Sequence, residues 1–256
     1  MSERQRANQP TDIELAGELA TAAGELLMRI RAEGLTGKEL GKAGDQRSNV
    51  LLLDRLAAER PDDRVLSEES SDDKQRLTAE RVWIIDPLDG TREYGMGGRA
   101  DWAVHVALWE RGELTVGAVA LPALGLTYVS DAEPVAAQQG VAPPRNGVAR
   151  VVVSGSRPPE FAQAVADALG GELTPVGSAG AKTMAVLRGE ADAYVHAGGQ
   201  YEWDSAAPVA VAQAKGLWCS RIDGSPLVYN QDDVYLPDLV VCRPEIAETV
   251  LKTIAG

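Results

Sequence analysis

The sequence predicts a layered α/β protein built from two lobes that share a cleft. Three stretches rich in valine, leucine and aromatic residues, Trp102–Trp109, Leu114–Leu121 and Leu126–Ser130, are separated by glycine and proline turns, which is typical of an antiparallel meander. From Val151 onward, short apolar stretches alternate with helical ones, an order that indicates a mostly parallel sheet covered by helices. The proline- and glycine-containing segment Pro143–Gly147 marks the boundary between the two lobes.

The first lobe is predicted to cover residues 11–145, after a disordered tail at residues 1–10, and the second lobe residues 146–256. The first helix begins at Thr11, because Thr11 and Glu14 form a capping-box pattern ahead of apolar residues at helical spacing. Most of the acidic candidates described below fall in the first lobe. We expect the active site to lie in the cleft that it shares with the second lobe.

The remaining helices and strands are predicted from the same patterns. In the first lobe we expect a helix over Asp45–Glu59 and short strands at Arg64–Ser67 and Arg81–Ile85. In the second lobe we expect four strands that alternate with four helices. The strands are predicted at Val151–Ser154, Leu173–Val176, Ala193–Val195 and Trp218–Arg221. The helices are predicted at Pro158–Leu169, Ala179–Leu187, Ser205–Lys215 and Pro244–Ile254.

Composition and charge exclude several classes of protein. Of the 256 residues, 45% are hydrophobic and 25% are charged, as in soluble globular proteins. The formal net charge of −13 argues against binding to duplex nucleic acid or to an anionic membrane, because both need clustered lysine and arginine. Two cysteines, Cys219 and Cys242, are too few for a disulfide framework, and we expect both to be buried without a redox role. No secretory leader or membrane span is indicated, so we expect a cytoplasmic protein.

Covalent and dinucleotide chemistry are not indicated. Neither His105 nor His196 accompanies a Gly-x-Ser-x-Gly elbow, so neither histidine is assigned a role. The cysteines do not lie at zinc-ligand spacing, and no glycine-rich phosphate loop occurs. Pro87 stands two residues before Asp89, where haloacid dehalogenases carry their nucleophile, and this excludes that family.

Acidic residues at strand ends and helix starts are the candidates for chemistry. Two of them lie in the motif Asp86-Pro87-Leu88-Asp89-Gly90-Thr91, where carboxylates and the following N–H groups can hold a hard cation and a phosphate together. Glu68-Glu69, Asp204 and Asp45 stand at similar positions. Taken singly, each acid is more simply explained as a helix cap or a solvated surface residue. Taken together, they predict carboxylates that bridge two Mg²⁺ ions for phosphoryl transfer.

Three motifs, in this order, resemble those of the inositol monophosphatase superfamily of lithium-sensitive, Mg²⁺-dependent phosphatases. They are Leu66-Ser67-Glu68-Glu69, Trp83-Ile84-Ile85-Asp86-Pro87-Leu88-Asp89-Gly90-Thr91-Arg92-Glu93-Tyr94 and Glu202-Trp203-Asp204-Ser205-Ala206-Ala207. The chain looks most similar to the CysQ branch, the 3′(2′),5′-bisphosphate nucleotidases, on Ser67-Glu68-Glu69, Thr91-Arg92-Glu93-Tyr94 and Gly177-Ser178-Ala179-Gly180-Ala181-Lys182. The resemblance implies the αβαβα sandwich of the inositol monophosphatase and fructose-1,6-bisphosphatase type.

The resemblance also implies a role for each matching residue. Two to three Mg²⁺ ions per active site would be held by Glu68, Asp86, the Leu88 carbonyl, Asp89 and Asp204. The catalytic residues would be Thr91 and Asp45, which orient and deprotonate the attacking water. Substrate contacts would come from Gly90, Thr91, Ser154, Arg157, Ser178 and Lys182. The segment Ser156-Arg157-Pro158-Pro159 stands where the CysQ branch has Ser-Arg-Ser-His, so that histidine is absent.

The function that the resemblance implies is a Mg²⁺-dependent phosphomonoesterase. It would hydrolyse 3′-phosphoadenosine 5′-phosphate to AMP and phosphate, would be linked to sulfate assimilation and would be inhibited by Li⁺. Activity on inositol phosphates or fructose 1,6-bisphosphate, instead or in addition, stays open. A non-catalytic phosphate or nucleotide sensor would need a lost metal ligand, and all five ligand positions are filled by suitable residues. A homodimer is the oligomeric state that the resemblance implies.

Overall fold

Two five-stranded sheets and three layers of helices make up the fold, in a computed structural model that describes residues 10–131 and 147–256. The helices are α1 (Asp12–Arg31), α2 (Gly37–Glu59), α3 (Thr91–Gly95), α4 (Ala162–Ala168), α5 (Ala179–Leu187), α6 (Glu202–Ala214) and α7 (Ala247–Ala255). The strands are β1 (Arg64–Ser67), β2 (Arg81–Asp89), β3 (Ala103–Glu110), β4 (Glu113–Leu121), β5 (Leu126–Val129), β6 (Arg150–Ser154), β7 (Glu172–Val176), β8 (Ala193–Ala197), β9 (Trp218–Ser220) and β10 (Asp238–Cys242). Helices and sheets alternate in five layers, so the predicted αβαβα sandwich is confirmed.

The first sheet has the strand order β1-β2-β3-β4-β5 and contains the predicted antiparallel meander, β3 to β5. Successive side chains on a strand point to opposite faces of the sheet. On β2, Trp83 and Ile85 therefore pack with α1 and α2. Val82 and Ile84 belong to the core on the other face, which α5 and α6 cover. Strand β2 is therefore buried on both faces. Its carboxyl end, which carries the acidic motif, lies in the interior of the sandwich.

The second sheet is mixed, whereas the sequence predicts a mostly parallel one. Its strand order is β7-β6-β8-β10-β9, with β6 parallel to β7 and β8, and β10 antiparallel to β8 and β9. Strand β10 was not predicted from the sequence. A five-residue apolar stretch cannot be assigned to a strand or a helix by periodicity alone, and only its pairing with β8 makes it a central strand.

Helix α2 begins at Gly37, so the predicted start at Asp45 is wrong and Asp45 lies inside the helix. Gly41 and Gly44 lower the helix propensity of the first turns, which is why the pattern favours a later start. Packing explains both glycines. A Cβ atom on Gly41 would lie 2.7 Å from the Thr91 methyl carbon, so a glycine is needed where α2 approaches the acidic motif.

Other boundaries differ by a few residues. The capping box of Thr11 and Glu14 is present, and β2 continues beyond Ile85 to Asp89. Helix α4 begins at Ala162, so Pro158 and Pro159, which were included in its predicted range, lie before the helix. The predicted tail, apart from Pro10, and the predicted lobe boundary, apart from Gly147, lie outside the described residues. None of the described helices has both the length and the apolar composition needed to cross a membrane.

Candidate active site

The acidic motif forms a bulge at the end of β2. The register between β2 and β3 shifts between Asp86 and Asp89, and the Leu88 N–H donates a 3.0 Å hydrogen bond to Asp86 Oδ1. One carboxylate oxygen each of Asp86, Asp89 and Asp204 lies within 4.8 Å of the others. The fold thus brings the end of β2 together with the first turn of α6, as expected if these residues share a ligand.

Glu202 and its neighbours fix the start of α6, which carries Asp204. The Glu202 carboxylate is buried and accepts hydrogen bonds of 2.7 Å from the backbone N–H groups of Asn230 and Gln231. Asp204 Oδ2 accepts a 2.6 Å hydrogen bond from the Tyr201 N–H, which caps the helix. These bonds hold the half-buried Asp204 carboxylate toward β2.

The electrostatics of the cluster test whether it suits a metal ion. Burial, followed by the charges of Glu68, Asp89 and Asp204, raises the pKa of Asp86 well above its usual range. Burial and Asp89 raise the pKa of Asp204 to about 7, and loss of hydration together with Asp204 raises the pKa of Glu68 to about 8. A divalent cation would remove this repulsion, and carboxylate oxygens are the ligands that hard cations prefer. The cluster could therefore bind a metal ion.

Asp89 differs from its neighbours because its pKa is held below the usual value. Burial favours the neutral form, but the nearby His105, the Lys182 ammonium and a hydrogen bond from Ser178 together outweigh it. The surroundings of Asp89 therefore favour its ionised form. This carboxylate is preformed in the ionised state that a metal ligand needs.

Thr91 and Asp45, the predicted catalytic pair, lie in contact. Thr91 Oγ1 is 3.2 Å from Asp45 Oδ1 and 3.1 Å from the Leu88 carbonyl oxygen. Burial and the charge of Glu69 raise the pKa of Asp45 to about 7. A carboxylate near this pKa can accept a proton at neutral pH.

A cavity of about 440 Å³ opens beside the carboxylates, with Asp89 and Asp204 in its wall. Every residue predicted to contact substrate lines it: Gly90, Thr91, Ser154, Arg157, Ser178 and Lys182. Arg92 and Arg99 add further positive charge. Asp45, Glu68, Asp86 and Leu88 are not part of this wall, and Asp45 instead lines a second hollow of about 720 Å³ with Lys38, Lys42 and Glu69. Thr91 borders both spaces.

The two cationic residues that were predicted to contact substrate, Arg157 and Lys182, differ in their surroundings. Arg157 is exposed, and its guanidinium lies against Gly199, where an added Cβ would meet Nη1. Lys182 is buried, and its ammonium donates a 2.7 Å hydrogen bond to the Ser178 carbonyl oxygen. Burial lowers the pKa of Lys182 to about 8, although Asp89 and Asp204 oppose this shift.

Both histidines lie at the site, although neither was assigned a role from the sequence. His105 stands opposite Asp86 across β3 and β2, with Nδ1 3.1 Å from the Trp203 carbonyl oxygen and Nε2 3.2 Å from Asp89 Oδ2. His196 lines the cavity, and burial lowers its pKa to about 4, so the ring is neutral. The strand register that places His105 beside Asp86 is the one signal that identifies it, and local sequence does not reveal that register.

An αβαβα sandwich whose clustered carboxylates adjoin a cavity with basic walls defines a phosphatase able to bind a metal ion. The model of the inositol monophosphatase family matches residues 8–255. The chain belongs to the inositol monophosphatase family, as its motifs predict.

Relatives with known names support this assignment. A "3′-phosphoadenosine 5′-phosphate phosphatase" of Mycobacterium leprae is 54% identical over 256 residues, covering 95% of this chain and 93% of the relative. The "3′(2′),5′-bisphosphate nucleotidase CysQ" of Escherichia coli (strain K12) is 32% identical over 206 residues, covering 76% of this chain and 81% of the relative. The predicted similarity to the CysQ branch is confirmed.

A solved structure gives the same fold. An inositol monophosphatase from Zymomonas mobilis matches with a TM-score of 0.77 at 21% identity, covering 100% of both chains. At that identity the likeness concerns the fold alone.

Proposed function

We propose that this protein is a Mg²⁺-dependent phosphomonoesterase that hydrolyses 3′-phosphoadenosine 5′-phosphate to AMP and phosphate. The observation that carries the proposal is that the wall of one cavity contains both the acidic residues Asp89 and Asp204 and the basic residues Arg157 and Lys182. A substrate with two phosphate groups needs one placed at the carboxylates, where it is hydrolysed, and the other near fixed positive charge. The name of the Mycobacterium leprae relative supports this choice of substrate.

The cation would be held by Glu68, Asp86, the Leu88 carbonyl, Asp89 and Asp204, and we propose two to three Mg²⁺ ions with inhibition by Li⁺. When bound, Mg²⁺ neutralises charge on the phosphoryl oxygens and lowers the pKa of water. The raised pKa values of the neighbouring acids support the donor set, because binding a cation releases the protons that these acids otherwise retain.

The chain's own residues supply orientation and proton transfer. Asp45 accepts a proton from the attacking water through Thr91 Oγ1, which lies within hydrogen-bond distance of the Asp45 carboxylate. Gly90 has a positive φ of 87°, and the backbone turns there into α3. A Cβ at Gly90 would lie 3.3 Å from the Trp102 Cα, so this turn also packs closely against the segment before β3. We propose that this turn presents the N–H groups of Gly90 and Thr91 to the phosphate. Arg157, Lys182 and Ser154 contact the rest of the substrate.

The experiment is a comparison of phosphate release from three substrates at saturating Mg²⁺: 3′-phosphoadenosine 5′-phosphate, inositol 1-phosphate and fructose 1,6-bisphosphate. We expect kcat/KM to favour the nucleotide by about tenfold or more, which corresponds to about 1.4 kcal/mol. A preference for inositol phosphate or fructose bisphosphate would overturn the substrate assignment. Absence of turnover with all three would favour a non-catalytic sensor. The Asp204→Asn variant serves as the inactive control.

The assembly and the location are further proposals. We propose a homodimer, in keeping with the family resemblance, and sedimentation velocity at micromolar concentration tests it. We also propose a cytoplasmic enzyme linked to sulfate assimilation. The free thiols of Cys219 and Cys242 are compatible with a reducing compartment, and the two cysteines pack on opposite sides of the second sheet.

A further inference from the structure

The Asp89 carboxylate is bound from one side by residues of the C-terminal part of the chain. Its Oδ2 atom accepts a 2.5 Å hydrogen bond from Ser178 Oγ and a 2.8 Å hydrogen bond from the Gly180 N–H. His105 Nε2 lies 3.2 Å from the same oxygen. Among residues 10–131 and 147–256, no hydrogen bond reaches Oδ1. The hydrogen bonds that the described residues make to this carboxylate thus fall on one of its two oxygens.

The Ser178 hydroxyl is already engaged in two bonds. It donates its one proton to Asp89 and accepts a 3.0 Å hydrogen bond from the Ala181 N–H at the start of α5. A serine hydroxyl has one donor, so it has no proton to give to a substrate while the bond to Asp89 persists. The location of Ser178 in the cavity wall therefore does not make it a hydrogen-bond donor to the cavity.

The backbone at Ser178 is strained. Its φ of 50° and ψ of 131° lie outside the regions that residues with a side chain ordinarily adopt. Such a conformation persists only where surrounding contacts hold it. Here the contacts are the two hydrogen bonds of the hydroxyl and the adjacent Gly177 N–H, which donates a 2.7 Å bond to Asp101 Oδ2.

We propose that Ser178 is a positioning residue for the metal ligand Asp89, acting on cation affinity rather than on substrate binding. The inference rests on the proposed metal-dependent function. By holding Oδ2, the hydroxyl restrains rotation of the Asp89 carboxylate, one oxygen of which lies within 4.8 Å of oxygens of Asp86 and Asp204. Groups that orient a ligand in this way affect metal affinity by about 10–100-fold when removed. The substrate contact implied by the family resemblance predicts a different result, an increase in substrate KM.

The test is calorimetric titration of metal-stripped protein with Mg²⁺ alone. Ser178→Ala removes the hydroxyl, and Ser178→Gly removes it while also accepting the positive φ without strain. We expect both variants to raise the Mg²⁺ Kd about tenfold. At saturating Mg²⁺, both should recover a substrate KM close to that of the wild type. Ser156→Ala is the matched control, because Ser156 also lines the cavity but does not contact Asp89.

The outcomes separate this inference from the proposed function. Unchanged Mg²⁺ affinity in both variants with a raised substrate KM overturns the positioning role and returns Ser178 to substrate binding. Wild-type affinity in Ser178→Gly but not in Ser178→Ala also overturns it, because the backbone rather than the hydroxyl would then matter. Failure of the wild-type protein to bind Mg²⁺ overturns the proposed function itself and the inference with it. Because Ser178→Gly relieves backbone strain, it keeps the test usable if Ser178→Ala does not fold.

Discussion

Asp204 Oδ2 accepts a 2.6 Å hydrogen bond from the backbone N–H of Tyr201, three residues earlier in the chain. The carboxylate therefore caps α6 and faces Asp86 and Asp89 at the same time. An amide oxygen can accept the same N–H bond but carries no charge. Capping and charge at this position can thus be separated by a single substitution.

Asp204→Asn is expected to abolish phosphate release and to stabilise the metal-free protein. Loss of a charged ligand removes several kcal/mol of transition-state stabilisation, which is a decrease of about 10²–10³-fold or more in kcat. Without metal, the variant lacks one of the charges that repel one another, so its Tm in the presence of EDTA should rise. Thermal unfolding and phosphate release measure the two effects. Asp223→Asn, an exposed aspartate that also accepts a backbone N–H, should change neither.

Thr91→Val is expected to reduce turnover while leaving Mg²⁺ binding intact. Valine keeps the methyl group that packs on Gly41 but cannot link to Asp45, so we expect kcat to fall about 10²–10⁴-fold. Thr91→Ser retains the hydroxyl and should stay within about tenfold of the wild type. Steady-state kinetics at saturating Mg²⁺ make the comparison. Equal losses in the two variants would mean that the hydroxyl has no part in proton transfer.

The stability of the metal-free protein should decrease as pH rises. The pKa values of Asp45 and Asp204 are raised to about 7 and that of Glu68 to about 8, whereas the unfolded values lie near 4. An acid with a raised folded pKa adds stability that is fully present below its unfolded pKa and is lost as pH rises through the folded pKa. Tm measured in EDTA should therefore fall between pH 4 and pH 8. A flat or rising profile would contradict the burial of these acids.

Mg²⁺ should counteract the loss of stability that the metal-free protein shows as pH rises. The stabilisation should be larger at pH 8 than at pH 5, because Mg²⁺ binds the deprotonated carboxylates. At a concentration 100 times its Kd, a ligand adds about 2.7 kcal/mol of stability, or roughly 5–10 °C in Tm for a chain of this size. Thermal unfolding with and without Mg²⁺ at the two pH values tests this. The same increase at both pH values would indicate that the cation binds elsewhere.

Gly117→Ala should destabilise the fold without touching the site directly. A Cβ on Gly117 in β4 would lie 2.6 Å from the Ala210 Cβ and 2.8 Å from the Ala207 carbonyl oxygen in α6. Because backbone atoms must move to accommodate it, we expect a loss of about 1–3 kcal/mol in the free energy of unfolding. Urea denaturation measures the loss. Gly97→Ala, where an added Cβ would meet nothing within 4 Å, should be neutral.

Features with a local signature were predictable. The capping box at Thr11, the meander from β3 to β5 and the motif from Asp86 to Thr91 depend on spacing within a few residues. The family was recognisable for the same reason, because its motifs are short and contiguous. The residue types suited to phosphoryl transfer, and their order along the chain, were already evident there.

Features that depend on distant segments were not predictable. The early start of α2 includes Gly41, where a Cβ would meet Thr91, and Gly44, where a Cβ would meet Tyr94 and Leu88. The segment β10 becomes a strand by pairing with β8. The positions of His105 opposite Asp86 and of Ser178 against Asp89 arise from sheet register and from packing between layers. Hydrogen bonds between residues far apart in the chain leave no mark on local periodicity. The class of reaction could thus be predicted from the order of the residues along the chain. The orientation of each side chain in the site depends on how the helices and sheets pack against one another.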